Sequence, residues 1–569
     1  MIRNTQYAIH NISLLSSLLS SLFSPRSPLL WLSLALPAAL LYLAVSAWVF
    51  GFSGFPLDDA WIHQTYARNL ARSGQLAFTP GVPSAGSTAL LWTLLLSAGY
   101  VLSIPFKVWT YSLGILFLGL TGWTVFRLGP RLFPQQRRVG LWAGLFCVFE
   151  WHLVWAAVSG METILFVWLS LLLFERYLAY HSPLPAPEWA PPRSPACTQM
   201  GAPLQDFSLG SIGGLLTLTR PEGLGLVGVI GLDVAYRGWR NSEELKGTQG
   251  NLETPSVPTS SSKFLRVMWR WLFVAVGVGI LLIPYALFHL ALTGLPFPNT
   301  LYAKQAEYGM ILQTYPLWQR LFGAFGSPPV ETVQGVFRVV FIGPQFLLLP
   351  GLILAGWLTI KERCPELWPV WVWWIGYLLL YGFRLAVTYQ HGRYQIPAIP
   401  WIILLGVWGT IRLAAWLARQ NMAGRVAGRA LVLSVGLLVL AFTLIGAQAY
   451  GRDVRFIESE MVATARWLQQ HSEVNTVIAA HDIGAIGYFT QQPLLDLAGL
   501  VTPEIIPIIR DEAALFDFMV AQQADYLVTF PNWYPQLKHN PKLKLFYRSN
   551  APWTSQIGGE NMAVYKIIH

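Results

Sequence analysis

The sequence predicts an all-α membrane domain of about eleven transmembrane helices over residues 1–450, followed by a soluble extracytoplasmic α/β domain over residues 451–569. Three observations carry this prediction. Of 569 residues, 54% are hydrophobic and only 12% are charged, which is too apolar a balance for a single soluble core. Apolar runs of roughly 20 residues recur through the first 450 positions, each long enough at about 1.5 Å per residue to cross a hydrocarbon layer of about 30 Å. After Tyr450 the pattern changes to a helical stretch, "FIESEMVATARWLQQH", and then to short apolar runs, "TVIAA", "LLDLAGL", "ADYLVTF", "LKLFYRS" and "MAVYKII", which alternate with helical segments as strands do in an α/β domain.

The first apolar run, Leu29 to Phe52, lacks a small-residue cleavage site after a short core and reads as an uncleaved anchor. Lys and Arg cluster in loops beside apolar segments, so the net charge of +10 reflects membrane orientation rather than a nucleic-acid partner. Three such clusters are expected in the cytoplasm: residues 237–270 (Arg237, Arg240, Lys246, Lys263, Arg266, Arg270), Lys361 with Arg363, and residues 412–429 (Arg412, Arg419, Arg425, Arg429). Counting from them gives a cytoplasmic N-terminus, with loops 53–86, 294–335 and 388–395 and the C-terminal domain outside. For Arg127 to Arg138 to lie inside as well, the segment 87–104, which ends before Pro105, must rest against the outer leaflet or re-enter it. The stretch 209–236 is expected to be a hairpin broken at "LTRPEG", because Pro221 and Gly223 interrupt helical hydrogen bonding and put Arg220 and Glu222 at the turn. Loops 182–207 and 241–262, rich in Pro and Ser, read as linkers. Cys147, Cys197 and Cys364 have neither metal-ligand nor disulfide spacing.

The first outer loop, "FPLDDAWIHQTYARNLARSGQLAFTPGVPSAGST", places adjacent carboxylates, Asp58 and Asp59, where the chain leaves the bilayer. Ile62, Tyr66 and Leu70 then recur at helical spacing while His63 and Arg68 occupy other faces, so an amphipathic helix on the membrane surface is expected. The aspartates either cap this helix, worth about 0.5–2 kcal/mol, or supply a general base, with Asp58 the better placed to take the proton because Asp59 joins the helix. A Lys or Arg at the edge of a membrane segment is costly unless it meets an anion or a cavity. Arg220, Lys304 and Arg393 are therefore candidates to bind a phosphate, with Tyr302 and His391 beside them, while Glu162, Glu222, His63 and Arg68 form a secondary acidic and acceptor-side set.

Taken in order, "DDAWIHQTYARNLARSGQLAFTPGVPSAGSTALLW", "VSGMETILF", "LTRPEGLGLVG", "PFPNTLYAKQAEYG" and "GRYQIPAIP" resemble the GT-C superfamily of polytopic glycosyltransferases, and within it the terminal arabinofuranosyltransferases. The resemblance spans residues 55 to about 400. It implies an acidic pair active in catalysis at Asp58 and Asp59, a polyprenyl-phosphate-linked monosaccharide as donor, inversion at the anomeric carbon, and a soluble domain after the last helix. The acceptor would be a glycan, glycolipid or glycoprotein of the cell envelope. Independently, nucleotide sugars do not cross a bilayer and no Gly-rich phosphate loop with a Lys follows a strand, so an outward-facing transferase needs a donor carried by a lipid. A monophosphate leaving group makes a divalent metal dispensable, and no cofactor is expected. A lipid-linked saccharide flippase and a non-catalytic envelope assembly protein remain as alternatives.

Overall fold

The computed structural model describes residues 24–181, 195–247, 260–323, 333–556 and 559–569. The first helix, α1 (Pro28–Trp48), starts where Ser27 accepts a hydrogen bond from the Leu29 amide and Pro28 occupies the first turn, a position that needs no amide donor. The short α2 (Asp59–Ser73) follows, and then a two-stranded hairpin of β1 (Ala77–Thr79) and β2 (Val82–Pro83). Next, α3 (Leu90–Val101) is apolar but only about 18 Å long, too short to cross a bilayer, in keeping with the expectation for residues 87–104. Apart from three short helices at Leu317–Phe322, Val336–Val339 and Tyr389–Gly392, the remaining helices of the apolar region are α4 (Phe106–Leu132), α5 (Arg138–Phe149), α6 (Trp151–Val158), α7 (Thr163–His181), α8 (Pro195–Thr219), α9 (Gly223–Gly247), α10 (Ser260–Thr293), α11 (Asn299–Thr314), α12 (Leu349–Lys361), α13 (Trp368–Arg384), α14 (Ile399–Gln420) and α15 (Met422–Ile457).

Among the described residues, six helices are long and apolar enough to span a membrane by themselves, or seven if α5 and α6, bent by 53° against each other, form one span. The chain is a multi-pass membrane protein. The other four of the eleven expected spans correspond to α7, α8 and α9, each of which runs into residues whose side chains are not described, and to α13, which has 17 residues and exposes Val372 and Phe383. Lipid-facing surfaces are recognisable on the long helices: Leu433, Leu437, Leu440 and Leu444 on α15 are spaced by three or four residues and exposed, as are Ile280, Ile283 and Leu287 on α10. Inside the bundle, small residues allow close helix approach. A Cβ at Gly144 of α5 would lie 2.7 Å from the Gly122 carbonyl of α4 and from the buried Trp31 of α1.

Several expectations need correction. Helix α2 does not lie on a surface: residues 60 to 69 are buried on every side, because the C-terminal domain covers the face that the amphipathic pattern left open. Residues 195–207, read as linker, belong to α8, and residues 241–247 to α9. The rest of both linker segments, and most of the basic cluster at 237–270, lie outside the described residues or have undescribed side chains. The last long helix runs unbroken through residue 450.

The C-terminal residues form a five-stranded sheet in the order β4-β3-β5-β7-β6, with β3 (Ile478–Ala480) parallel to β4 (Leu494–Asp496) and β5 (Tyr526–Thr529), and β7 (Ala563–Ile567) antiparallel to β5 and β6 (Leu543–Arg548). All five strands coincide with apolar runs recognised in the sequence. Glu460, in the π-helical turn that follows α15, ties the sheet to the membrane helix. Its buried carboxylate accepts from the Ser549 and Thr554 hydroxyls, from Asn561 Nδ2 at 2.7 Å and from the Met562 amide at 2.9 Å. Glu460→Ala removes the shared acceptor of these donors and is expected to destabilise the domain by about 2–4 kcal/mol, read as an earlier thermal transition in detergent.

Candidate active site

A cavity of about 380 Å³ opens where α2, the turns at residues 86–88, 161–163 and 220–222, helix α11, the end of α13 and the loop before α14 converge. Its wall carries Asp59, His63, Glu162, Arg220, Glu222, Lys304, Arg384 and Arg393. The sequence brings these together by simple means. Glu162, Arg220 and Glu222 sit in breaks between apolar helices, Arg384 ends one and Arg393 lies in the loop before another, while Asp59 and His63 are on α2 and Lys304 is on α11. Arg393 has the most unusual approach: Gln390, His391 and Gly392 all have positive φ (54°, 59° and 65°), and this run in the left-handed region turns the chain sharply just before the arginine.

The polar groups form two linked sets. In one, Arg393 Nη2 donates to Asp59 Oδ2 at 2.6 Å and to the Tyr394 hydroxyl at 2.9 Å, and Lys304 donates to the same hydroxyl. In the other, His63 Nε2 lies 3.2 Å from Glu162, Arg220 Nε lies 3.6 Å from Glu162 and 3.9 Å from Glu222, and the Tyr381 hydroxyl donates to Glu222 while accepting from Arg220 Nη2 at 3.2 Å. Arg393 is 94% buried, yet among the described residues its Nε and Nη1 have no hydrogen-bond partner. Buried guanidinium donors are costly when unpaired, and an anion is the kind of group that satisfies them.

The two neighbouring aspartates have separate environments. Burial alone would raise the Asp59 pKa, but the charges of Arg393 and Lys304 outweigh it and hold the carboxyl at about 2. Asp58 is turned away from the cavity. Its two oxygens accept from the Gly484 and Ala485 amides, at 2.6 and 2.8 Å, at the start of the C-terminal helix α16 (Gly484–Thr490). Burial first, and then the Asp482 carboxylate, push Asp58 up to about 8 against the pull of these amides. The expectation that Asp58 takes the proton is therefore corrected: Asp59 is the carboxylate at the cavity, and Asp58 joins the C-terminal domain to α2. It does not cap its own helix either, since it makes no side-chain cap bond there. The contact also requires a glycine, as a Cβ at Gly484 would lie 2.8 Å from Asp58 Oδ2.

Asp58→Ala is expected to loosen the C-terminal domain, because it leaves two buried amides unpaired at about 1–3 kcal/mol each. The pH dependence has a definite sign. An acid whose folded pKa is raised binds more protons in the folded than in the unfolded chain, so stability from Asp58 falls as pH rises from about 4 to about 8. Thermal unfolding measured across this window is expected to show a downward slope that Asp58→Ala flattens.

Other expectations are also revised. Tyr302 is half-buried on α11 and does not line the cavity. His391 pairs with Asp453 at 2.8 Å and sits edge-on to Trp151 and Trp155, a structural contact between the loop and α15. Arg68 donates to the Tyr488 carbonyl at 2.6 Å and lies over the Tyr488 ring, again holding the C-terminal domain. His63, Glu162, Arg220, Glu222, Lys304 and Arg393 all reach the cavity. Sequence reading passed over Tyr381, Arg384 and Tyr394. Arg384 closes the apolar helix "WPVWVWWIGYLLLYGFR", the same end-of-helix signal that marked the other cations, and Tyr394 is the neighbour of Arg393. Among the described residues, no three His, Cys, Asp or Glu side chains converge as metal ligands.

This architecture is a known one. ArnT from Cupriavidus metallidurans bound to undecaprenyl phosphate aligns with 95% of this chain and 97% of its own at a TM-score of 0.54 and 15% identity. The Archaeoglobus fulgidus oligosaccharyltransferase in the apo form aligns with 88% and 69% at 0.53 and 13%, and the same organism's AglB in complex with an inhibitory peptide and a dolichol-phosphate aligns with 88% and 69% at 0.52 and 12%. The chain therefore has the GT-C fold. A family described only as a domain of unknown function, DUF8728, matches residues 447–565, the end of α15 and nearly all of the C-terminal domain. No curated protein matches in sequence.

Proposed function

We propose that this protein is an inverting glycosyltransferase that moves a monosaccharide from a polyprenyl-phosphate carrier to an acceptor of the cell envelope, on the extracytoplasmic side of the membrane. The N-terminus is then cytoplasmic and the C-terminal domain outside. One observation carries the reading: a carboxylate and a buried arginine with unused donors share one cavity at the end of apolar helices, where a lipid phosphate arrives from the bilayer. The undecaprenyl phosphate and dolichol-phosphate named for the similarly folded proteins support a carrier of this chemistry. The finer kinship with terminal arabinofuranosyltransferases rests on motif order alone.

The reaction follows from these groups. The donor phosphate enters beside Arg393, Lys304 and Arg220, and draws hydrogen bonds from Arg393 that Asp59 holds in the empty cavity. As the bond from the anomeric carbon to the phosphate oxygen breaks, the sugar acquires oxocarbenium character and the electron pair leaves with the phosphate, where the cations stabilise it. The acceptor hydroxyl forms the new bond on the opposite face, and its proton passes to Asp59. A phosphate is a weak base, so no acid is needed for its departure. A purified sample given synthetic decaprenyl-phosphate monosaccharide tests this: sugar transfer with inversion, read by NMR of the product anomer, is the expected result, and absence of transfer with every sugar supplied counts against it.

A further inference from the structure

A second cavity, of about 350 Å³, lies between α11 and the C-terminal domain. Its lining differs in kind from the first. Four aromatic rings, Tyr308, Tyr389, Trp533 and Tyr534, surround one carboxylate, Glu307, and two cationic donors, His481 and Arg510. His481 Nε2 lies 3.6 Å from Glu307 Oε1, and its ring sits edge-on to Trp533 at 4.7 Å. The Arg510 guanidinium donates to the Glu307 backbone carbonyl, while the Glu307 carboxylate interacts with His481 and with the Tyr308 hydroxyl on its own helix. Trp533 is 47% exposed, a large apolar face open to solvent at the mouth.

The two cavities share a wall. The Tyr308 and Tyr389 hydroxyls are 3.2 Å apart, the Tyr389 ring meets the Tyr394 ring edge-on at 6.3 Å, and the Arg393 guanidinium lies 5.8 Å from the Tyr389 ring centre. Arg393 in turn holds Asp59. A molecule seated in the second cavity is thus separated from the reacting groups by single side chains.

We propose that this cavity binds the saccharide part of the acceptor, a reading that rests on the transferase function above. A sugar ring offers hydroxyls that donate and accept, and C–H faces that carry slight positive charge. The cavity answers each: Glu307 accepts, His481 and Arg510 donate, and the aromatic faces with their negative quadrupole meet the C–H groups. A lipid chain would call for aliphatic side chains, of which only Ile509 is present, and a second phosphate would be repelled by Glu307.

The test uses the full chain in detergent, with trisaccharides of glucose, mannose, galactose and arabinose as probes of this cavity and decaprenyl phosphate as the probe of the first. At least one trisaccharide is expected to bind by saturation-transfer NMR. Trp533→Ala and Glu307→Gln are each expected to weaken it by about three- to tenfold and to leave decaprenyl phosphate affinity unchanged, which also shows that both variants are folded. The proposal is overturned if no trisaccharide binds, if both variants bind it as the unaltered protein does, or if a polar tripeptide occupies the cavity in place of every sugar. Failure of decaprenyl phosphate to bind the unaltered protein overturns the transferase reading instead, and leaves any sugar binding standing.

Discussion

Asp59→Asn is expected to reduce sugar transfer by about 10²–10⁴-fold while donor affinity stays level or improves, measured by single-turnover transfer from decaprenyl-phosphate monosaccharide. Loss of turnover follows because an amide cannot accept the acceptor proton as the new bond forms. Retained affinity follows because Asp59 and the donor phosphate compete for the same guanidinium, and asparagine is the weaker competitor. The pH profile refines the expectation. In the free protein Asp59 titrates at about 2, so it is ionised across the whole working range and contributes no acid limb to kcat/KM there. Once the phosphate draws Arg393 away, the depressing charge is shared and the Asp59 pKa rises. The acid limb of kcat therefore lies at higher pH than that of kcat/KM. Turnover of Asp59→Asn close to that of the unaltered protein would sink the base assignment.

Arg393→Gln is expected to be the more damaging change overall, because it acts on two states at once. In the free protein it leaves Asp59 with Lys304 and His63 to offset its charge, and breaking a buried pair in this way costs about 3–5 kcal/mol of stability. In the donor complex it removes the charge-assisted bonds to phosphate, worth about 2–5 kcal/mol of affinity. Titration with decaprenyl phosphate measures the second term and thermal unfolding the first. Lysine at position 393 is not expected to restore binding, because a single ammonium lacks the planar set of donors that reaches Asp59, Tyr394 and an anion together. Full donor affinity in Arg393→Gln would show that the phosphate is held elsewhere.

What could be read in advance follows a physical divide. Arg220, Lys304 and Arg393 were visible because a cation at the edge of an apolar helix stands out against its surroundings, and the strands of the C-terminal domain were visible because each is a short apolar run between turn residues. Which of two adjacent aspartates faces a cavity was not visible. Helical periodicity orders residues around an axis, but the partner of Asp58 is 426 positions away in the chain, and nothing local to residue 58 announces Gly484. The same holds for α2, whose polar face was read as solvated and is instead covered: Gln64 meets Thr110 and Tyr100, Arg68 meets Tyr488, and Asn69 meets the Ala77 and Phe78 carbonyls. Tyr381 and Tyr394 escaped notice for a different reason. In a chain with 22 tyrosines, one more at the end of an aromatic helix carries no signal until its hydroxyl is seen between charges.

The peptide bond between Asp58 and Asp59 couples the C-terminal domain to the cavity. One carboxylate grips that domain, the next lines the cavity and holds Arg393, and a single peptide unit of about 3.8 Å joins them. A shift of the domain by an ångström is therefore passed directly to the carboxylate that lines the cavity.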